Sequence, residues 1–254
     1  MPLFIEERTS DSPYISHIWR SRSEQIDSFI SIATNQWDLV IWKQYGKTYL
    51  AVQGPETQAS IAPVPRDAEF FGILFKPGAF MPHLPVTQLV NGNAALPEAN
   101  SRTFWLGGSA WEVPTYENAE VFVDRLVRSE MLVREKVVDE VLQGHHLDLS
   151  LRSIQRRFLR ATGLTHNTIQ QIARARQATL LLQQGKPIID VAYGLGYFDQ
   201  SHLHRVMKHF IGEPPSQLID KNRTGQLSFL SKTELAMLHY DEPVDRDNNR
   251  WSIA

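Results

Sequence analysis

Two hydrophobic periods divide the chain. Up to residue 116, apolar residues come in short runs rich in β-branched and aromatic types: YISHIWR (14–20), DSFISIA (27–33), WDLVIWK (37–43), KTYLAVQ (47–53) and EFFGILFK (69–76). Runs of this length, separated by Pro, Gly, Asn or Asp, predict strands. Pro77–Gly78 and the Pro82–Pro85 segment break the pattern. From Glu117 the spacing becomes helical, first through Ala119, Phe122, Val123, Leu126 and Val127, then through Val137, Val138, Val141 and Leu142. The fold class read from this is α+β with two domains. A β-rich region at 1–116, like a barrel or sandwich, precedes an all-α region at 117–222, with the boundary near Tyr116. Residues 223–254, ending near DEPVDRDNN, read as a partly disordered tail in which SFL (228–230) and LAML (235–238) are candidate docking segments.

The most informative stretch is 149–215. Ser150 predicts an N-cap, because its hydroxyl can accept from a free amide of the first helical turn, and Gly163 suits the left-handed position that ends a helix. Between them, Leu151, Ile154, Phe158 and Ala161 share one side at 100° per residue. Arg152, Gln155, Arg156 and Arg160 share the other, with Ser153 beside them. About fifty residues later the pattern returns. Ile188, Ile189, Val191 and Ala192 predict a short apolar helix, Gly194 and Gly196 a turn, and Asp199 the cap of a second helix. In that helix Leu203, Val206, Met207 and Phe210 point inward, while Gln200, Ser201, His204, Arg205 and Lys208 lie outside. Short helix, glycine turn and donor-bearing second helix make a helix-turn-helix, whose second helix enters the major groove. A single helix over 166–184, stopped by Gly185 and Pro187, joins the two units. At 1.5 Å per residue it spans roughly 28 Å, near the ~34 Å of one DNA turn.

Charge sharpens this picture. The protein has 254 residues and a formal net charge of −2, yet 149–212 holds nine Lys/Arg against Asp190 and Asp199 alone. A local cationic excess inside a mildly acidic chain points to a polyanion-facing surface. Guanidinium and amide groups are those that pair bidentately with guanine and adenine edges.

Residues 117–219 resemble the paired helix-turn-helix domain of the AraC/XylS family of bacterial transcription regulators. Ser150, Gln155, Arg156 and Phe158 match the first unit. Arg174 or Arg176 and Ala178 match the linker helix, and Gly196–Tyr197, Arg205 and Gly212–Glu213–Pro214 match the second unit. The aromatic core positions of the family's last recognition helix are Leu203 and Met207 here. The wording GYFDQSHLHR and the upstream FKPGAF point to a subgroup with its own N-terminal domain. The resemblance implies sequence-specific binding of double-stranded DNA in two adjacent major-groove segments. Base-facing roles fall on Arg152, Gln155, Arg156, Gln200, Ser201, His204 and Arg205. Other implied partners are RNA polymerase, a small-molecule effector at the β-rich domain, and a second copy in a homodimer.

Other chemistry is weakly signalled. Zero cysteines exclude disulfides, thiolate metal sites and a thiolate alkyl acceptor. His202, His204 and His209 point apart on a helix, so no metal site and no cofactor is expected. His17 and His83 are the only histidines of the first region and form no H-x-H pair, and Gly107–Gly108–Ser109 lacks a nucleophile-elbow frame, so enzymatic activity is not expected. The start, MPLFIEERTS, has no secretory pattern and no long apolar span follows, which predicts a cytoplasmic protein without membrane attachment. Trp19, Trp37, Trp42, Trp105 and Trp111 read as core aromatics or as walls of an effector pocket with Gln53, Arg66 or His83. The alternative function is a small-molecule-binding protein whose helical domain engages a protein partner. Such a face needs a large apolar anchor, and only Leu159 and Ile211 lie near the edge of this one.

Overall fold

The computed structural model of the chain describes residues 4–24 and 28–219. The tail at 223–254, with its SFL and LAML segments, lies outside the described residues. Thirteen strands are β1 (Phe4–Thr9), β2 (Ile15–Arg22), β3 (Ser28–Ser31), β4 (Asp38–Gln44), β5 (Lys47–Gln53), β6 (Ser60–Pro63), β7 (Glu69–Phe75), β8 (Ala79–Phe80), β9 (Asn93–Ala95), β10 (Glu98–Asn100), β11 (Thr103–Leu106), β12 (Ser109–Glu112) and β13 (Val133–Arg134). The α-helices among the described residues are α1 (Ala119–Arg128), α2 (Lys136–Leu142), α3 (Leu151–Thr162), α4 (His166–Gln183), α5 (Ile188–Gly194), α6 (Gln200–Phe210) and α7 (Pro215–Ile219). The architecture is thus a β-rich region followed by a helical one.

An antiparallel six-stranded sheet in the order β1-β2-β7-β4-β5-β9 forms the centre of the β-rich region. The β4–β5 hairpin turns through Tyr45 and Gly46, both at positive φ (49° and 75°), the backbone that matches the right-handed twist of paired strands. Gly72 sits opposite Trp19 on β2, and a Cβ there would lie 2.2 Å from the indole, so the glycine makes room for the ring. Trp37 is buried, stacks on Phe75 at 3.9 Å between ring centroids and donates from Nε1 to the Ala79 carbonyl at 2.6 Å. Trp111 is likewise buried, Trp19 and Trp42 are half-buried, and Trp105 is exposed. Arg66 and His83 are both exposed, on separate loops.

The core runs on from the sheet into the helices. On α1, Phe122 packs against Phe104 and Trp111, each 6.2 Å away between centroids, and Glu120 pairs with Arg8 of β1. Phe158, Ala161 and Leu164, at the end of α3, join the same buried cluster as Val86 and Leu89. Gly163 closes α3 at φ 74°, where a Cβ would press on Val86 and Val90 at 3.1 Å. Two backbone bonds cross between the regions near α6: Ala33 N donates to Phe210 O at 2.7 Å, and Ala59 N donates to His209 O at 2.8 Å.

Register places His17, Leu74, Asp38, Gln53 and Asn93 opposite one another across β2, β7, β4, β5 and β9, which puts them in one row on one face. Burial, with Arg176 adding repulsion, depresses the His17 imidazole to about 4. Burial, with the Glu56 carboxyl adding repulsion, pushes Asp38 up to about 7. As pH falls from about 6.5 toward 4, the unfolded chain takes a proton at His17 that the native state refuses, so stability is lost. As pH rises from about 4 to 7, the unfolded chain ionises Asp38 while the native state resists, so stability is lost in that direction too. The two slopes oppose each other. Relative to the parent chain, Asp38→Asn is therefore expected to gain stability progressively from pH 4 to 7, and His17→Gln to gain it as pH falls from 6.5 to 4. Urea midpoints across this range check both; parallel profiles for all three proteins would refute the assignment.

Candidate nucleic-acid interface

The first helical unit is α2, the connection 143–150 and α3. Ser150 Oγ accepts from Ser153 N at 3.3 Å and donates to Ser153 Oγ at 2.9 Å, so the cap holds the first turn and engages the Ser153 hydroxyl as well. Ile154, Phe158 and Ala161 are buried, whereas Leu151 is exposed at the helix entrance. Arg152, Gln155, Arg156 and Arg160 are exposed together, with Ser153 half-buried beside them. These side chains do not share one environment. The Arg160 guanidinium lies 5.4 Å over the Phe80 ring and so leans toward the sheet side. Arg157, which the sequence reading did not single out, grips Glu135 with two bonds of 2.7 and 3.0 Å. That fork ties α3 to the start of α2, where Glu135 also accepts from Val137 N. It leaves Arg152, Gln155 and Arg156 as the outward donors of the first two turns.

The second unit is α5, the turn 195–199 and α6. Gly196 takes φ 72°, which a side chain rarely tolerates. Asp199 Oδ1 accepts from His202 N at 2.6 Å and caps α6. Leu203 and Met207 are fully buried, so their departure from an aromatic pair leaves the inner face packed, and Phe210 is buried with them. Val206 is half-buried. Gln200, Ser201, His204, Arg205 and Lys208 are exposed on the opposite face, as the periodicity predicts. His202 serves the turn: its Nδ1 accepts from Phe198 N at 3.3 Å, and its ring meets Tyr197 edge-on at 5.4 Å. Among the described residues no three His, Asp or Glu side chains are grouped to hold a metal ion. A shallow cleft of about 230 Å³ runs beside the α6 start, lined by Ile188, Gln200, Ser201, His204, Pro215 and Ser216.

The linker helix α4 is 18 residues long, or roughly 27 Å at 1.5 Å per residue. Thr165 caps it by accepting from Thr168 N at 3.1 Å. Its two arginines have separate tasks. Arg174 lies 4.6 Å over the Tyr197 ring, fastening α4 to the turn that precedes α6. Arg176 is only 5% exposed and donates from Nη1 to the Ala33 carbonyl at 3.1 Å. Ala33 is the residue whose amide reaches Phe210 O, so one residue joins α4, α6 and the β-rich region. Nothing in the 30–35 segment of sequence signals this contact, because it uses main-chain atoms. His145 Nδ1 lies 2.8 Å from the Glu140 carboxylate. Ile211, placed by periodicity near the outer edge, is fully buried; beside the exposed guanidinium, amide, imidazole and hydroxyl groups, Leu151 and Leu159 are exposed on α3 and Phe198 just before α6. No described helix is long and apolar enough to cross a membrane.

Residues 144–221 match the family model described as a helix-turn-helix domain, and this domain is of the AraC type. No curated protein matches the chain. Among solved structures the chain is similar to ToxT from Vibrio cholerae, at 11% identity over 85% of this chain and 97% of that one with a TM-score of 0.35. A second ToxT structure, from Vibrio cholerae O395, gives 10% identity over 85% and 96% with a TM-score of 0.36.

Proposed function

We propose, from an AraC-type helix-turn-helix domain at 144–221, that the protein is a transcription regulator that reads two adjacent major-groove segments of duplex DNA, one with α3 and one with α6. The observation that carries this reading is the pair of capped helices with exposed donor faces, Arg152, Gln155 and Arg156 on one and Gln200, Ser201, His204 and Arg205 on the other, joined by one rigid helix. Phosphate contacts would fix the register, and the guanidinium and amide forks would select bases. Ser153, Arg160 and Lys208 flank these groups and fit the backbone-positioning role. In this reading residues 1–116 form a sensing or dimerisation module, 117–222 the reading module and 223–254 a tail. Occupancy of the first module by a small effector or a second copy would act on the reading helices through the Ala33 junction, and the bound regulator would meet RNA polymerase.

Selection of bound duplexes from random DNA tests this. The expected result is a site of two short conserved blocks about one helical turn apart. Equal, weak binding to every sequence at physiological salt would overturn it. Lys208→Ala is expected to weaken binding evenly across sequences and to flatten the slope of log affinity against log salt by ~1. An unchanged slope would remove Lys208 from the phosphate contacts.

A further inference from the structure

The residue just before a helix cap has an ordinary use when it is apolar: it packs against the residue four positions into the helix and fixes the angle of entry. For α6, capped by Asp199, those two positions are Phe198 and Leu203. Leu203 is fully buried, yet Phe198 is 84% exposed, so the expected staple is not made. The aromatic ring is left in solvent at the mouth of the second reading helix.

Its mounting is rigid. Tyr197 on one side is buried beneath the Arg174 guanidinium. Asp199 on the other side is fixed by its bond to His202 N, and the Phe198 amide itself donates to His202 Nδ1. The backbone that carries the exposed phenyl ring is therefore fixed on both sides, close in sequence to exposed Gln200 and Ser201. A lone exposed apolar residue needs no special account on a surface. A phenylalanine pinned from both sides, next to base-reading donors, is differently placed.

Resting on the reading of α6 as a major-groove helix, we propose that Phe198 is a specificity determinant that reads the 5-methyl group of a thymine at the edge of the α6 half-site. The major groove offers one apolar feature, that methyl group, and an aromatic side chain is a suitable contact for it. Residues at the N-terminal end of a recognition helix are the ones that meet base edges. The polar neighbours would handle hydrogen bonding, and the ring would separate thymine from cytosine, which lacks the methyl.

Deoxyuridine tests this, since it keeps every pairing group and the O4 acceptor of thymine and loses only the methyl. Thymines of the selected duplex are replaced one at a time. For the parent protein one position in the α6 block is expected to bind about fourfold less tightly, the equivalent of ~0.8 kcal/mol for one buried methyl-sized group. Phe198→Ala should bind the thymine and uracil duplexes alike, at the parent's affinity for uracil. Phe198→Leu should keep part of the discrimination. Arg156→Ala, which belongs to the other half-site, should keep all of it. A parent indifferent to every uracil, or a Phe198→Ala variant that still discriminates, overturns the proposal. Unchanged affinity of Phe198→Ala for the thymine duplex also overturns it. If selection yields no preferred duplex at all, the reading of α3 and α6 fails first, and the failure is seen before any uracil is introduced.

Discussion

Arg156→Ala is expected to weaken binding to the selected duplex by about 1–3 kcal/mol, roughly five- to 150-fold, and to relax preference at one base position. Among the arginines of α3, Arg157 is held by Glu135 and Arg160 lies over Phe80, whereas Arg156 is exposed and makes no ion pair among the described residues. Its fork is therefore free to meet a guanine edge without first leaving an internal partner. Two turns of capped helix hold its backbone, so little ordering is needed on binding. Competition titrations with the selected duplex and with duplexes varied at each position measure both effects. A loss shared equally by all sequences would reassign Arg156 to phosphate, and no loss would remove it from the interface.

The largest effect on stability is expected at Trp37. Trp37→Ala removes a side chain that is 4% exposed, its stack on Phe75 and its bond to the Ala79 carbonyl. Truncation of a buried aromatic to alanine costs about 3–5 kcal/mol, because lost transfer energy adds to the cavity left behind. Here the Ala79 carbonyl also loses its indole donor, so the upper half of that range is expected. Folded domains have only about 5–15 kcal/mol in total, so the variant should unfold at a much lower urea concentration. A midpoint shift worth under ~1 kcal/mol would refute this assignment of Trp37 to the core.

The helical half was the more legible in sequence, for a physical reason. Caps are local: Ser150, Thr165 and Asp199 each bond an amide three residues on, so their effect is visible in a short window. The inner faces of α3 and α6 follow one period over about three turns, and the rim positions Leu151, Val206 and Ile211 depart from it. The five strands read from 14 to 76 are all present, with ends shifted by a residue or two. Those the pattern missed are β6, β8, β9 and β13, of two to four residues, the β10–β12 meander, and β1 at the start. The runs of two to four residues carry too few positions for alternation to show. The roles of Arg157, Arg174 and Arg176 were not legible either. All three are basic and lie on helices beside the outward donors, and what separates them is a partner elsewhere in the chain: Glu135, the Tyr197 ring and the Ala33 carbonyl. The exposure of Phe198 was hidden for the opposite reason, since its position in the sequence is one where apolar residues normally fold inward.

The carbonyls that end α6 are closed by amides from residues 33 and 59, more than 140 positions earlier in the chain. Main-chain groups do not vary with sequence, so drift in side chains cannot easily erase this clasp, yet grafting a different amino-terminal module would. A recombined chain inherits a bare pair of acceptors at the foot of α6 unless the newcomer brings two donors to the same spot, so such a graft is constrained by hydrogen-bond geometry at the seam and not only by the length of the joining segment.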